Sequence, residues 1–374
     1  MIPDDDIIAA VREHGSHRKA AKALGCDARN VDRRMDRLRL RGYSPEHDMT
    51  HTVPDGYTVK GVSTLYREDG SVAAQWVKSS ADSERREAIV REAIAAASAF
   101  VPIAPKRKAP AGKFRDDLLV AYPIGDPHVG MLAWAKECGK DWDVEIATRT
   151  HQLVVADLVE RSPQTEQALI VNLGDLMHYD SMAAVTPRGG NNLDADGRYN
   201  RMLHAAADVM IQAVESALGK HKRVHVINAI GNHDETGAQA IALVLKHRYH
   251  QTPAVTVDTS PALFNYFRFG ANLIGIHHGH TCKPDKLPGV MAADRARDWG
   301  ETLHRYWWMG HIHHASMKEY PGVSVESFNT LASNDAYAAA GGWRSRQAMC
   351  APILHRDHGE CGRAISSPAM VAAN

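Results

Sequence analysis

The chain has 374 residues, 44% hydrophobic and 24% charged, a composition typical of a soluble globular protein with room for one large domain and a smaller one. Its 44 basic and 44 acidic side chains cancel, so attraction of the whole molecule to nucleic acid or membrane is excluded and any basic patch has to be local. The sequence has no apolar run of membrane-spanning length and begins with the acidic MIPDDDIIAA, and its five cysteines are scattered without a CxxC pair; we expect a cytoplasmic protein with reduced thiols and no membrane association.

Ile7, Ile8 and Val11 lie at helical spacing behind the acidic start, which suits a helix N-terminus. Gly15 and Ser16 interrupt this helix, and Ser16 can cap a second, His17 to Leu24. Gly25-Cys26-Asp27 then turns into a third, with Val31, Met35 and Leu38 on one face and Gly42 as its stop. Ala21, Gly25 and Val31 have the spacing of a helix-turn-helix: a small residue for close approach, a bend, and an apolar anchor. The third helix carries Arg29, Arg33, Arg34 and Arg37, followed by Arg39 and Arg41, against only Asp32 and Asp36. A solvated face of a three-helix packing module is one reading. A DNA-contacting helix is the other, favoured by the arginine density, and it makes residues 1–50 an expected DNA-binding domain.

Residues 51–100 predict a β-hairpin, with apolar runs on either side of the Asp69-Gly70 turn, followed by a helix from Ser80 to Ala99. The stretch 101–117, VPIAPKRKAPAGKFRDD, holds three prolines and a basic cluster and predicts a linker. From 118 to 374 short apolar runs end in polar residues: LLVAYPIGDPH, ALIVNLGD, VHVINAIGNHD and NLIGIHHGH. Helix-like stretches such as Asp143–Glu160 and Leu203–Leu218 lie between them. Alternating strands and helices indicate a layered α/β domain, in which reactive residues collect just past the strand ends.

Twenty-two histidines are many for this length, and several fall into short motifs at those strand ends. Asp126 and His128 lie in GDPH, Asp175 in GDLMH, and Asn232, His233 and Asp234 in GNHD. His278 lies in HHGH, and His311 and His313 in GHIH. Each fragment alone is a weak signal. All five in this order, each closing an apolar run, point to a metal site. Mixed imidazole and carboxylate ligands suit first-row divalent ions rather than magnesium or calcium alone.

This order of motifs resembles the calcineurin-like metallophosphoesterase superfamily over roughly residues 117–363. The resemblance implies a four-layer αββα sandwich behind the small helix-turn-helix domain and hairpin, with two divalent transition-metal ions at the sheet ends. Mn is the first choice and Fe, Zn or Ni are alternatives. By the same resemblance Asp126, His128 and His313 hold one ion, Asn232, His278 and His311 the other, and Asp175 bridges them. His277 and His280 remain rivals to His278. Such a pair clamps a phosphate and activates water for in-line attack. His233, beside a ligand, is placed to protonate the leaving oxygen, and Asp234 to hold its ring.

The chain departs from the shortest family members by longer gaps between motifs, including VTPRGGNNLDADGRYN after the second, which would lie beside the metals. Past the fifth motif, Arg344 and Arg346 are candidates for contact with substrate phosphate. The arginine-rich module points to DNA as substrate and partner, hence a DNA phosphodiesterase or nuclease, in a homo-oligomer or alone. The arrangement is also similar to bacteriophage-type members with an N-terminal helix-turn-helix. A small-molecule phosphatase or cyclic-nucleotide phosphodiesterase is the alternative, and a DNA-binding protein with a non-catalytic metal domain a third.

Overall fold

Helix α1 (Asp4–His14) starts on three aspartates and is closed by Gly15 in the left-handed region, at φ 66°. Ser16 then caps α2 (His17–Ala23) by accepting the amide of Lys19, and Gly25, at φ 65°, turns the chain into α3 (Ala28–Leu40). Ile7, Ala21, Val31, Met35, Leu38 and Tyr43 bury one small core. Arg34 does not belong to an outward-facing row. It pairs with Asp4 and donates to the carbonyl of Ile2 at 2.7 Å, tying α3 to the start of the chain. Arg29, Arg33 and Arg37 are exposed.

The computed structural model describes residues 2–40, 42–44, 49, 57–67, 72–81, 102–105, 107, 110–187 and 190–372. It divides into two compact units, Met1–Glu92 and Ala93–Asn374. In the first, β1 (Tyr57–Tyr66) and β2 (Val72–Ala81) pair antiparallel. Ser80, the expected start of a helix, instead pairs with Thr58; most of that expected helix lies outside the described residues. Described residues of the Pro-rich stretch contact the rest of the larger unit. Ala104 donates its amide to Arg248, Arg248 donates to the carbonyl of Pro102, and Arg107 pairs with Glu215 at 2.9 Å.

The larger unit holds a six-stranded sheet of β3 (Arg115–Ile124), β4 (Thr165–Asn172), β5 (Arg223–Asn228), β6 (Val255–Val257), β12 (Met349–His355) and β13 (Gly359–Ser366), in the order β13-β12-β3-β4-β5-β6. A five-stranded sheet of β7 (Asn265–Phe269), β8 (Asn272–Ile276), β9 (His304–Met309), β10 (Ser316–Tyr320) and β11 (Val323–Ser327) runs β10-β11-β9-β8-β7. The helices are α4 (Ala135–Cys138), α5 (Val144–Arg161), α6 (Tyr199–Leu218), α7 (Gly237–Arg248), α8 (Leu287–Asp294), α9 (Ala296–Glu301), α10 (Ala336–Ala340) and α11 (Pro368–Val371).

Side-chain alternation along the strands sets the layers. Leu119, Ala121, Leu169, Val171 and Ile227 of the first sheet meet Phe269, Ile274, Ile276 and Trp308 of the second. The intervening Val120, Tyr122, Ile124 and Ile170 face α5, α6 and α7. Leu273, Trp307 and Met309 face α8. The result is the four-layer αββα sandwich. No helix among the described residues is long and apolar enough to cross a membrane.

Strands β3, β4 and β5 run parallel with Ile124, Asn172 and Asn228 in register, so their C-terminal ends share one edge. Strands β8 and β9 are likewise parallel, with Ile276 beside Trp308. Five loops therefore leave this edge of the sandwich.

Two core histidines make the fold acid-sensitive. His221 bridges Tyr122 Oη at 2.8 Å and Thr165 Oγ1 at 2.7 Å, and His151 Nδ1 donates to the Ala147 carbonyl at 2.8 Å. Burial pushes both imidazoles down to about 4. The unfolded chain takes up these protons first, near its ordinary value of 6.5, so stability present above that pH is lost as pH falls towards 4, by up to about 3 kcal/mol per histidine. Urea midpoints should drop steeply between pH 6.5 and 4.5 for wild type and less steeply for His151→Leu; identical slopes would contradict this.

Candidate metal centre

Four of the five edge loops turn through left-handed backbone. Among the described residues, the non-glycine residues with positive φ are Asp126 (45°), His128 (42°), Asp175 (53°), His311 (71°) and His313 (58°). Left-handed backbone costs an aspartate or histidine roughly 1–3 kcal/mol, and such strain persists where the surroundings demand a particular side-chain direction. All five aim at one place.

Asp126, His128 and His313 form one cluster and Asp175, His278 and His311 another, with the donor atoms in each within 4.8 Å of one another. In the first, His313 Nε2 lies 3.5 Å from Asp126 Oδ1 and 3.1 Å from His128 Nε2. In the second, His278 Nε2 lies 3.2 Å from Asp175 Oδ2 and 3.0 Å from Asn232 Oδ1. Asp175 Oδ2 is also 3.9 Å from His128 Nε2, so this carboxylate faces both clusters. The backbone fixes the carboxylates as well: the amide of His311 donates to Asp126, and that of His233 to Asp175 Oδ1 at 2.8 Å. A Cβ on Gly231 would fall 2.0 Å from Asp175 Oδ1, so this approach requires glycine.

Hydrogen bonding separates the three neighbouring histidines. His278 Nδ1 donates to the Leu173 carbonyl at 2.9 Å, which turns Nε2 towards Asp175 and Asn232. His277 accepts the Gly279 amide at Nδ1, leaving Nε2 to donate to Thr281 Oγ1 at 2.9 Å, and it stacks on Phe264. His280 lies with its ring centroid 5.2 Å from that of His278, in neither cluster.

Asp126 and Asp175 are fully buried, and the ion-pair partners that surround them are imidazoles. Burial raises the Asp126 carboxyl above its usual range. Burial acts the same way on Asp175, but the surrounding imidazoles, His278 foremost, outweigh it and hold that carboxyl well below. His278 answers in kind: burial lowers it, yet Asp175 beside it pushes it up to about 10. Burial depresses His128 strongly, His178 to about 3 and His311 to about 4, keeping these rings in the neutral form that donates a lone pair. Buried carboxylates, imidazoles and a carboxamide oxygen, without a lysine or arginine partner among the described residues, are a donor set that accepts divalent transition-metal ions.

Two expected placements differ. Asp234 does not hold the His233 ring. Its carboxylate accepts the amides of Gly231 (3.0 Å), Asp175 (3.2 Å) and Met177 (3.3 Å), tying two edge loops together from below, while burial raises its pKa to about 8. The His233 ring is held instead by the His178 carbonyl, 2.7 Å from Nδ1. Arg344 is not aimed at the centre; it donates to the carbonyls of Ala338, Ala339 and Trp343 and closes α10. Arg346 lines a groove with Pro123, Ala315 and Asn329, beside the loops that carry Asp126 and His313.

His178 is the residue that motif reading passed over. Its ring stacks on His233 at an interplanar angle of 17°, and His128, His178 and His233 form a third close group. Its signal was present as the last residue of GDLMH, three positions past Asp175. The insertion after the second motif folds against the loop that follows His128, where Leu132 donates to the carbonyl of Asp194 and Asp196 to that of Gly130.

No protein-family model matches the chain, and no curated protein is similar to it. Solved structures give distant likenesses. The phosphoesterase YfcE from E. coli is 15% identical, with 66% of this chain and 98% of that chain covered and a TM-score of 0.34. Vps29 complexed with Zn2+ from Entamoeba histolytica is 13% identical (67% and 99% covered, TM-score 0.26). The phosphopantetheinyl hydrolase PptH from Mycobacterium tuberculosis is 10% identical (58% and 91% covered, TM-score 0.27). Likenesses at this level carry no functional argument.

The hydrogen bonds around the HHGH motif give a direct test. His278→Ala should weaken binding of Mn2+ or Zn2+ at least about tenfold in a chelator competition, whereas His277→Ala should leave it near wild type. The reverse order would show that the wrong imidazole has been assigned.

Proposed function

We propose that this chain is a two-metal phosphoester hydrolase acting on DNA phosphodiesters. The observation that carries the reading is the convergence of five strand-end loops on two His/Asp clusters that share one face of Asp175. Asp126, His128 and His313 would hold one ion, Asn232, His278 and His311 the other, and Asp175 would lie between them. Bound there, two Mn2+ ions, or Fe, Zn or Ni, would supply Lewis acidity towards a phosphoryl group and a nucleophile at neutral pH.

The remaining groups handle position and protons. With Nδ1 of His233 engaged by the His178 carbonyl, Nε2 is the ring atom left to pass a proton to the leaving oxygen. The stacked His178 ring keeps His233 from swinging away. Asp234, through three backbone amides, maintains the spacing of the Asp175 and Asn232 loops and acts on the reaction only through them.

DNA as substrate rests on the N-terminal unit. Arg29, Arg33 and Arg37 recur every four residues on α3 and are exposed, which lines three cations along one side of a helix, as phosphate contact requires. With Mn2+, the protein should cleave single- or double-stranded DNA as well as a simple phosphodiester; turnover of a phosphomonoester alone, with DNA untouched, would contradict the substrate assignment. His233→Ala should lower kcat by roughly 10²–10⁴-fold with metal content unchanged. Loss of bound metal in that variant would make His233 a ligand instead.

A further inference from the structure

The largest exposed aromatic side chains of the catalytic unit gather on two loops rooted in the metal centre. Trp134 (59% exposed) lies six residues past His128, and Tyr337 (73%) and Trp343 (58%) follow Thr330, whose hydroxyl donates to the carbonyl of Asp126 at 2.6 Å. These rings are not loose ends of an unfolded stretch. Met131, Ala133, Trp142 and Ala332 bury a small core joining the two loops, α4 packs against α10, and Ser333 donates to the Lys140 carbonyl. Trp142, on the same loop as Trp134, is 2% exposed, so this segment buries one indole and presents the other to solvent. Leaving three aromatic rings in water forgoes burial that a ligand covering them would recover.

The charges around the rings identify that ligand. Lys136, Lys140 and Arg346 are exposed on the same two loops, with Lys136 Nζ 5.3 Å from the Trp134 ring centroid. Of the four acids on these loops, Asp141 accepts the Ala135 amide, Asp143 the Ile146 amide and Asp335 the Ala338 amide, which leaves Glu137 facing solvent. A second copy of the chain, docked symmetrically, would bring these cations against themselves. Flat apolar faces interleaved with cations suit a polynucleotide whose bases are unpaired, because a duplex keeps its base faces stacked inside.

We infer that Trp134, Tyr337 and Trp343 form a stacking platform for unpaired nucleobases flanking the phosphate at the metal centre, which makes a single strand the form of nucleic acid engaged there. This rests on the phosphodiesterase reading, and its test separates the two. The full chain is titrated with a fluorescent oligothymidylate of roughly ten nucleotides and with an abasic oligomer carrying the same phosphates, while cleavage of both is followed in parallel with Mn2+. Wild type should bind the base-bearing strand more tightly by about 5- to 150-fold per stacked base. Trp134→Ala and Trp343→Ala should each shrink that ratio, and Trp134→Phe should largely keep it. A ratio unchanged in both alanine variants overturns the platform, as does a wild-type dimer that these variants convert to monomer with the ratio intact. Absence of cleavage with the binding ratio present would instead refute the catalytic reading and leave the platform in place.

Discussion

Two carboxylates, Asp126 and Asp175, are fully buried at one edge of a β-sandwich with imidazoles for company. Burying a carboxylate costs several kcal/mol unless charge or hydrogen bonds compensate, and here amide donors supply only part of that. The rest has to come from cations: burial keeps His128, His178 and His311 in the neutral form that ligates them, and His278, raised by Asp175, would release its proton as an ion binds. Much of the local architecture follows from keeping these oxygens in place: left-handed turns after the strand ends, glycine at 231, and Asp234 fastening two loops from beneath. The parallel register of β3, β4 and β5 matters because it brings the loops that follow all three strands to a common level.

Legibility in the sequence followed a simple division. Which residues end a strand is written in the apolar runs, so the motif residues and a layered α/β domain could be read from LLVAYPIGDPH, ALIVNLGD and their companions, while the αββα order of the layers followed only from the family resemblance. Where a side chain points after a turn is not written there. Asp234 follows His233 directly, yet it points to backbone amides while the ring finds the carbonyl of His178, 55 positions away in the chain. His277 and His278 are identical in type and adjacent, and only the Leu173 carbonyl and the Thr281 hydroxyl tell them apart.

The arginines show the same limit. Arg33, Arg34 and Arg37 read alike as one basic stripe, but a helix turns about 100° per residue, and Arg34 lands beside Asp4 while its neighbours face solvent. Arg344 is spent on the carbonyls of a short helix that the Gly/Ala-rich stretch did not announce. In both cases composition identified a charge, and packing decided whether it was free to act.

The central claim is that the edge holds two ions sharing Asp175. Its most direct test is the manganese content of the purified chain by equilibrium dialysis, together with the electron paramagnetic resonance spectrum of the loaded protein. The account predicts two ions per chain with exchange-coupled spins, as ions a few ångströms apart must show. One ion per chain, or two with independent spectra, would contradict it.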